Sequence, residues 1–155
     1  MKTIGSIGLG AMGGSYAKFL IEENYTVYGI DPDNQNAEIF TSLGGALLNN
    51  ISELVDKSDI IILSLPTVPI FKEVINEIEV NGKSNESKIL VDMNTISLDD
   101  KIETKNKLEK LNISMVDASK YWLTGDNLFN ASPPMSDRTI RCFRKSEALN
   151  FELFR

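Results

Sequence analysis

The sequence of 155 residues contains no histidine. Within these residues, that excludes imidazole as general base, metal ligand or activator of a nucleophile. It has one cysteine, Cys142. No disulfide can close within it, which fits a reducing compartment and an expected cytoplasmic location. Long apolar runs are also missing. The longest, Ile60 to Leu63 followed by Ser64 and Leu65, is strand-sized and far short of a membrane span. Met1-Lys2-Thr3-Ile4-Gly5 lacks an apolar stretch, so no signal peptide is expected. Positive charge is scarce: 16 Lys and Arg stand against 22 Asp and Glu, a net charge of −6. That balance disfavours nucleic acid and anionic membranes as partners.

Arginine is absent from residues 1–130, which hold eleven lysines. All four arginines, Arg138, Arg141, Arg144 and Arg155, lie in residues 131–155, together with Cys142, Pro133 and Pro134. The shift sets an expected boundary. Residues 1–130 form one folded domain, and residues 131–155 form a basic tail, either flexible or out of frame with the body. Apolar residues make up 42% of the chain and charged residues 25%, the balance of an ordinary globular protein. Asn81 to Ser87 is entirely polar apart from Gly82 and reads as a surface loop.

Hydrophobic patterning alternates strand with helix. Thr3–Ile7, Thr26–Ile30, Ala46–Leu48, the run beginning at Asp59, Lys88–Asp92 and Ile113–Asp117 read as six strands. Helices are expected over Met12–Glu23, Asn34–Leu43, a short segment capped by Ser52, Pro69–Ile78 and Leu98–Leu111. The last of these places Leu98, Ile102, Lys105, Leu108 and Leu111 on one face. The continuous run at Ile60 suits a strand covered on both sides. Six alternations predict an α/β fold of the Rossmann type, a doubly wound parallel sheet ending after about six strands.

Gly8-Leu9-Gly10-Ala11-Met12-Gly13 is a G-x-G-x-x-G turn between the first strand and the first helix. The spacing gives Gly8 the tight turn, Gly10 the close approach of a pyrophosphate and Gly13 the close packing of helix on sheet. The helix start then offers backbone N–H groups to phosphate. Asp31 ends the second strand, 18 residues after Gly13. Its carboxylate can accept from both ribose hydroxyls and would repel a 2′-phosphate. Pro32, Asp33 and Asn34 supply no cation, so NAD is expected over NADP. Asp31 also suits a turn before Pro32 or a helix cap.

Three blocks together resemble the β-hydroxyacid dehydrogenases, which include 3-hydroxyisobutyrate dehydrogenase-type enzymes and are related to 6-phosphogluconate dehydrogenase. They are Ile7 to Gly13, Leu63-Ser64-Leu65-Pro66 and Val91-Asp92-Met93-Asn94-Thr95-Ile96-Ser97. The resemblance covers residues 1 to about 118. It implies cofactor contacts from the glycine turn (Gly8, Leu9, Gly10, Ala11, Met12, Gly13), from Leu65 and Pro66, and from Thr95 beside the nicotinamide. The family usually has Ser where this chain has Asn94 and Pro where it has Leu98. Thr95 or Ser97 also suits a helix cap, and Pro66 a plain loop.

The family continues past its sixth strand with a substrate loop, a helix bearing a catalytic lysine, and an all-helical domain. Here Asp117-Ala118 leads into Ser119-Lys120-Tyr121-Trp122, and Pro133 to Arg155 matches nothing in that pattern. No catalytic residue is assigned; Lys120 is the nearest lysine to the expected position, and a solvated role suits it better. The resemblance therefore implies the nucleotide-binding portion of an oxidoreductase for small β-hydroxy acids. Alone, it is expected to bind NAD weakly without useful turnover. Prephenate dehydrogenase offers an alternative through Gly13-Gly14-Ser15, but that family uses a histidine and this sequence has none. A non-catalytic NAD-binding module is the other alternative.

Overall fold

An isoleucine run such as Ile60-Ile61-Ile62-Leu63 needs cover on both sides, and the fold supplies it. The computed structural model describes residues 2–81 and 87–118. Strand and helix alternate as β1 (Thr3–Ile7), α1 (Ala11–Glu22), β2 (Thr26–Ile30), α2 (Asn34–Ser42), β3 (Ala46–Leu47) and α3 (Ile51–Lys57). They continue as β4 (Ile60–Leu63), α4 (Val68–Asn81), β5 (Lys88–Asp92), α5 (Leu98–Glu109) and β6 (Ile113–Asp117). The six strands form one parallel sheet in the order β3-β2-β1-β4-β5-β6. That is the doubly wound order, with its switch point between β1 and β4.

Alternate residues of β4 feed two cores. Ile61 and Leu63 pack with Leu54, Phe71, Ile75, Ile78 and Leu108 on the side of α3, α4 and α5. Ile60 and Ile62 pack with Ala17, Leu20 and Phe40 on the side of α1 and α2. All four β4 residues are buried, as the unbroken apolar run requires.

Three local expectations are corrected. The short third helix is capped by Asn50, whose side chain accepts from Glu53 N–H at 2.8 Å; Ser52 lies inside it. Asp33, rather than Asp31, caps α2 by accepting from Gln35 N–H at 2.8 Å. The third correction concerns α5. Leu98 and Ile102 are 72% and 50% exposed, while Lys101, Thr104 and Leu108 face inward. Apolar spacing failed there because a buried charge turned the helix, as described below. Ser97 caps α5, accepting from Asp100 N–H at 3.2 Å, so Thr95 is released from that role.

At the amino ends of the two central strands, Asp59 ties β4 to the start of β1. Its Oδ2 accepts from Thr3 N–H at 2.7 Å and from the Thr3 hydroxyl at 3.1 Å. Burial pushes its carboxyl pKa up. The two hydrogen bonds from Thr3 and the charges of Lys2 and Lys88 outweigh this and leave it below the ordinary 3.8. A lowered carboxylate stabilises the fold above its unfolded pKa, and that contribution disappears as pH falls through the folded value. Asp59→Asn should therefore cost about 1 kcal/mol at neutral pH and flatten the acid limb of the stability–pH curve. Urea melts between pH 7 and pH 2 would show it; parallel curves for variant and parent would refute it.

Candidate functional site

Register brings the three sequence blocks to one edge. Ile30, Ile7, Leu63, Asp92 and Asp117 lie side by side across β2, β1, β4, β5 and β6. The ladder runs one residue further: Gly8 N–H donates to Ile30 O, Ser64 N–H to Ile7 O, Met93 N–H to Leu63 O and Ala118 N–H to Asp92 O, all at 2.9–3.0 Å. The residues just past this row are those of the motifs. They sit at the carboxyl ends of parallel strands astride the switch point, where open α/β sheets bind ligands.

The glycines of the turn divide by what a side chain would strike. Gly8 has φ +89°, and a Cβ there would fall on the Ser64 carbonyl oxygen. A Cβ on Gly13 would fall on the Gly8 carbonyl oxygen, with the Ser64 side chain 3.2 Å away. These two let α1 sit close against the turn and the end of β4. At Gly10 nothing lies within 4 Å of the Cβ position. Packing does not demand glycine there, so the open space is what glycine preserves. Gly10 is also the N-cap of α1, with no side-chain cap and no acidic residue in the first turn. In contrast, α2, α3 and α5 are capped by Asp33, Asn50 and Ser97. Ala11 is exposed and Met12 half-buried, while Leu9 turns into the core. The turn also borders an open cleft of about 250 Å³ between α1 and α2, lined in part by Ser15, Lys18, Asn36 and Ile39.

Asp31 stands beside the turn. Its Oδ2 accepts from Leu9 N–H at 2.6 Å, and its Oδ1 accepts from Asp33 N–H at 2.8 Å across Pro32. One carboxylate thus fixes both the glycine turn and the bend after β2. Ionised carboxylates have about four acceptor positions, so capacity remains for hydroxyl donors. On the far side of the switch point, Leu65 is half-buried, and Pro66 and Thr95 are exposed on the loops after β4 and β5. Asn94 joins those loops. Its Oδ1 accepts from Leu65 N–H at 2.6 Å and its Nδ2 donates to Asp92 Oδ1 at 2.7 Å.

Sequence reasoning missed the anchor beneath these loops. Asp92 is fully buried, and its neighbour in register is Asp117. Lys101, 8% exposed, reaches in from α5. Its Nζ lies 3.2 Å from Asp92 Oδ2, 2.6 Å from Asp117 Oδ1 and 3.2 Å from the Asn94 carbonyl oxygen. Two like charges side by side on adjacent strands repel, and a buried carboxylate needs a partner. The helix therefore presents lysine inward and leaves Leu98 and Ile102 to solvent. The signal was present in the repeated ends Val91-Asp92 and Val116-Asp117 of two neighbouring strands.

The family model described as the NAD binding domain of 6-phosphogluconate dehydrogenase matches residues 3–119. The chain belongs to that family. It is 33% identical over 116 residues to 2-(hydroxymethyl)glutarate dehydrogenase of Eubacterium barkeri, covering 74% of this chain and 38% of that protein. Among solved structures, the 3-hydroxyisobutyrate dehydrogenase of Mycobacterium tuberculosis with L-serine superposes with a TM-score of 0.70 at 26% identity, over 76% of this chain and 40% of that one. An imine reductase from a Pseudomonas species gives a TM-score of 0.68 at 26% identity, over 75% and 40%. The chain thus spans about two fifths of the length of these relatives. Its described residues form a nicotinamide dinucleotide-binding domain of the β-hydroxyacid dehydrogenase kind. No described helix is long and apolar enough to cross a membrane. Lys120, the core of the Asn81–Ser87 loop and the basic tail lie outside the described residues.

Proposed function

We propose that this chain binds NAD in preference to NADP, as the nucleotide-binding portion of an oxidoreductase acting on small β-hydroxy acids in a reducing, cytoplasmic setting. The observation that carries the reading is the uncapped start of α1 at Gly10, with open space above it and Asp31 beside it. Backbone N–H groups at a helix start favour an anion, and a Cβ at Gly10 would fill the space a pyrophosphate needs. The residues fit the group. Gly10, Ala11 and Met12 would face the pyrophosphate, and Asp31 would accept from the adenosine ribose hydroxyls. A 2′-phosphate on that ribose would meet the Asp31 carboxylate, with no cation among Pro32, Asp33 and Asn34 to offset it. Leu65, Pro66 and Thr95 would border the nicotinamide end. When bound, the nicotinamide supplies the hydride acceptor or donor.

Titration calorimetry of the purified chain with NAD and NADP tests this. NAD should bind at least about tenfold more tightly, a difference of about 1.4 kcal/mol. Asp31→Asn keeps an acceptor for Leu9 N–H and removes the charge, so it should bring the two affinities together. Equal affinities in the parent chain would refute the preference for NAD, and binding of neither would refute the whole reading.

A further inference from the structure

We infer that Lys101 is the positioning residue for the nicotinamide half of the site, acting through Asp92 and Asn94; this rests on the dinucleotide reading above. The Lys101 ammonium donates to acceptors in different parts of the carboxyl edge. Asp92 ends β5, Asp117 ends β6, and the Asn94 carbonyl belongs to the peptide leading into Thr95. The Asp92 carboxylate in turn accepts from Asn94 N–H at 2.9 Å and from Asn94 Nδ2 at 2.7 Å. The Asn94 side chain then holds Leu65 N–H at 2.6 Å. One buried cation therefore sets the loop after β4, the loop after β5 and the end of β6 relative to one another.

The hydrogen bonds of this network lie in the half of the fold spanned by β4, β5 and β6, and the network meets the glycine turn by packing, where Ser64 and Leu65 lie against Gly8. The glycine turn is held separately, by Gly8 N–H on Ile30 O and Leu9 N–H on Asp31. Doubly wound folds of this kind are built from two mononucleotide-binding halves meeting at the switch point. The glycine turn and Asp31 serve the adenosine half, so the half spanned by β4, β5 and β6 is left to the nicotinamide mononucleotide. Without the ammonium, the Asp92 and Asp117 carboxylates would repel each other, and the peptide before Thr95 would lose its anchor. The loops bearing Leu65, Pro66 and Thr95 would then be free to separate.

A purely supportive lysine would change both halves together, and a positioning lysine changes one. The test compares NAD with ADP-ribose, which lacks the nicotinamide, by calorimetry on the full chain. NAD should bind about tenfold more tightly than ADP-ribose to the parent. Lys101→Met combined with Asp92→Asn leaves no unpaired buried charge. In this variant the ratio should fall to about one, with ADP-ribose affinity held within about twofold. Asp117→Asn, at a half-exposed position, should lower the ratio by roughly threefold and serves if the double variant does not fold. An unchanged ratio in a folded variant, equal parent affinities for the two ligands, or a parallel loss of ADP-ribose binding would overturn the Lys101 inference alone. A parent chain that binds neither ligand would overturn the dinucleotide reading and this inference with it.

Discussion

Gly13→Ala should destabilise the fold strongly, while Gly10→Val should leave the fold in place and remove dinucleotide binding. The two glycines lie three residues apart in one turn, yet their surroundings are opposite. A Cβ on Gly13 lands on the Gly8 carbonyl oxygen, which is backbone and cannot rotate away. The start of α1 would have to withdraw from the sheet and loosen Ala17 and Leu20 in the core. Overpacking of this kind costs about 3 kcal/mol or more, against a total stability of about 5–15 kcal/mol. The melting temperature should drop by roughly 10 °C or more. Gly10 has φ −61° and ψ −165°, which any L-residue adopts, and its Cβ would meet nothing within 4 Å. Valine there should change stability by less than about 1 kcal/mol. Its methyl groups would stand where the phosphates approach α1, so NAD affinity should drop by more than about tenfold. Thermal melts and calorimetry on both variants separate the roles. A Gly10→Val chain that binds NAD as the parent does would rule out the phosphate contact at α1.

The parts of this fold legible in the sequence were those whose cause is local. The glycine turn lies within six residues, and Asp31 meets it because β1 and β2 are successive parallel strands. The two-sided cover of β4 is written in its four apolar residues. The face of α5 was not legible in the same way. Apolar spacing ranks residues by their preference for cover and says nothing of a charge obliged to take it. Leu98 and Ile102 prefer burial by about a few kcal/mol together, but a buried carboxylate without a cation costs more. The obligation came from two aspartates 25 residues apart that become neighbours only when β5 and β6 align. Asn94 is a similar case. In the sequence it reads as an exchange for the usual serine, and only the fold brings it to Leu65 N–H, 29 residues away.

That obligation leads to the second large effect. Lys101→Met should destabilise the chain by about 3–5 kcal/mol, because it strands Asp92 as an unpaired buried carboxylate beside Asp117. Adding Asp92→Asn should restore a good part of the loss. The amide carbonyl can still accept from Asn94, and the remaining carboxylate, Asp117, is 39% exposed and reaches water. The two substitutions should therefore be non-additive by more than about 1 kcal/mol in a double-mutant cycle from urea melts. Additive losses would mean that the ammonium and the carboxylate stabilise the fold independently, which the 3.2 Å contact between them does not allow. Stability and binding also part company here. The double variant should regain stability without regaining the nicotinamide contribution, since asparagine at position 92 relieves the stranded charge but cannot replace the ammonium that holds the Asn94 carbonyl and Asp117. If stability and the preference for NAD over ADP-ribose returned together, Lys101 would be a structural ion and nothing more.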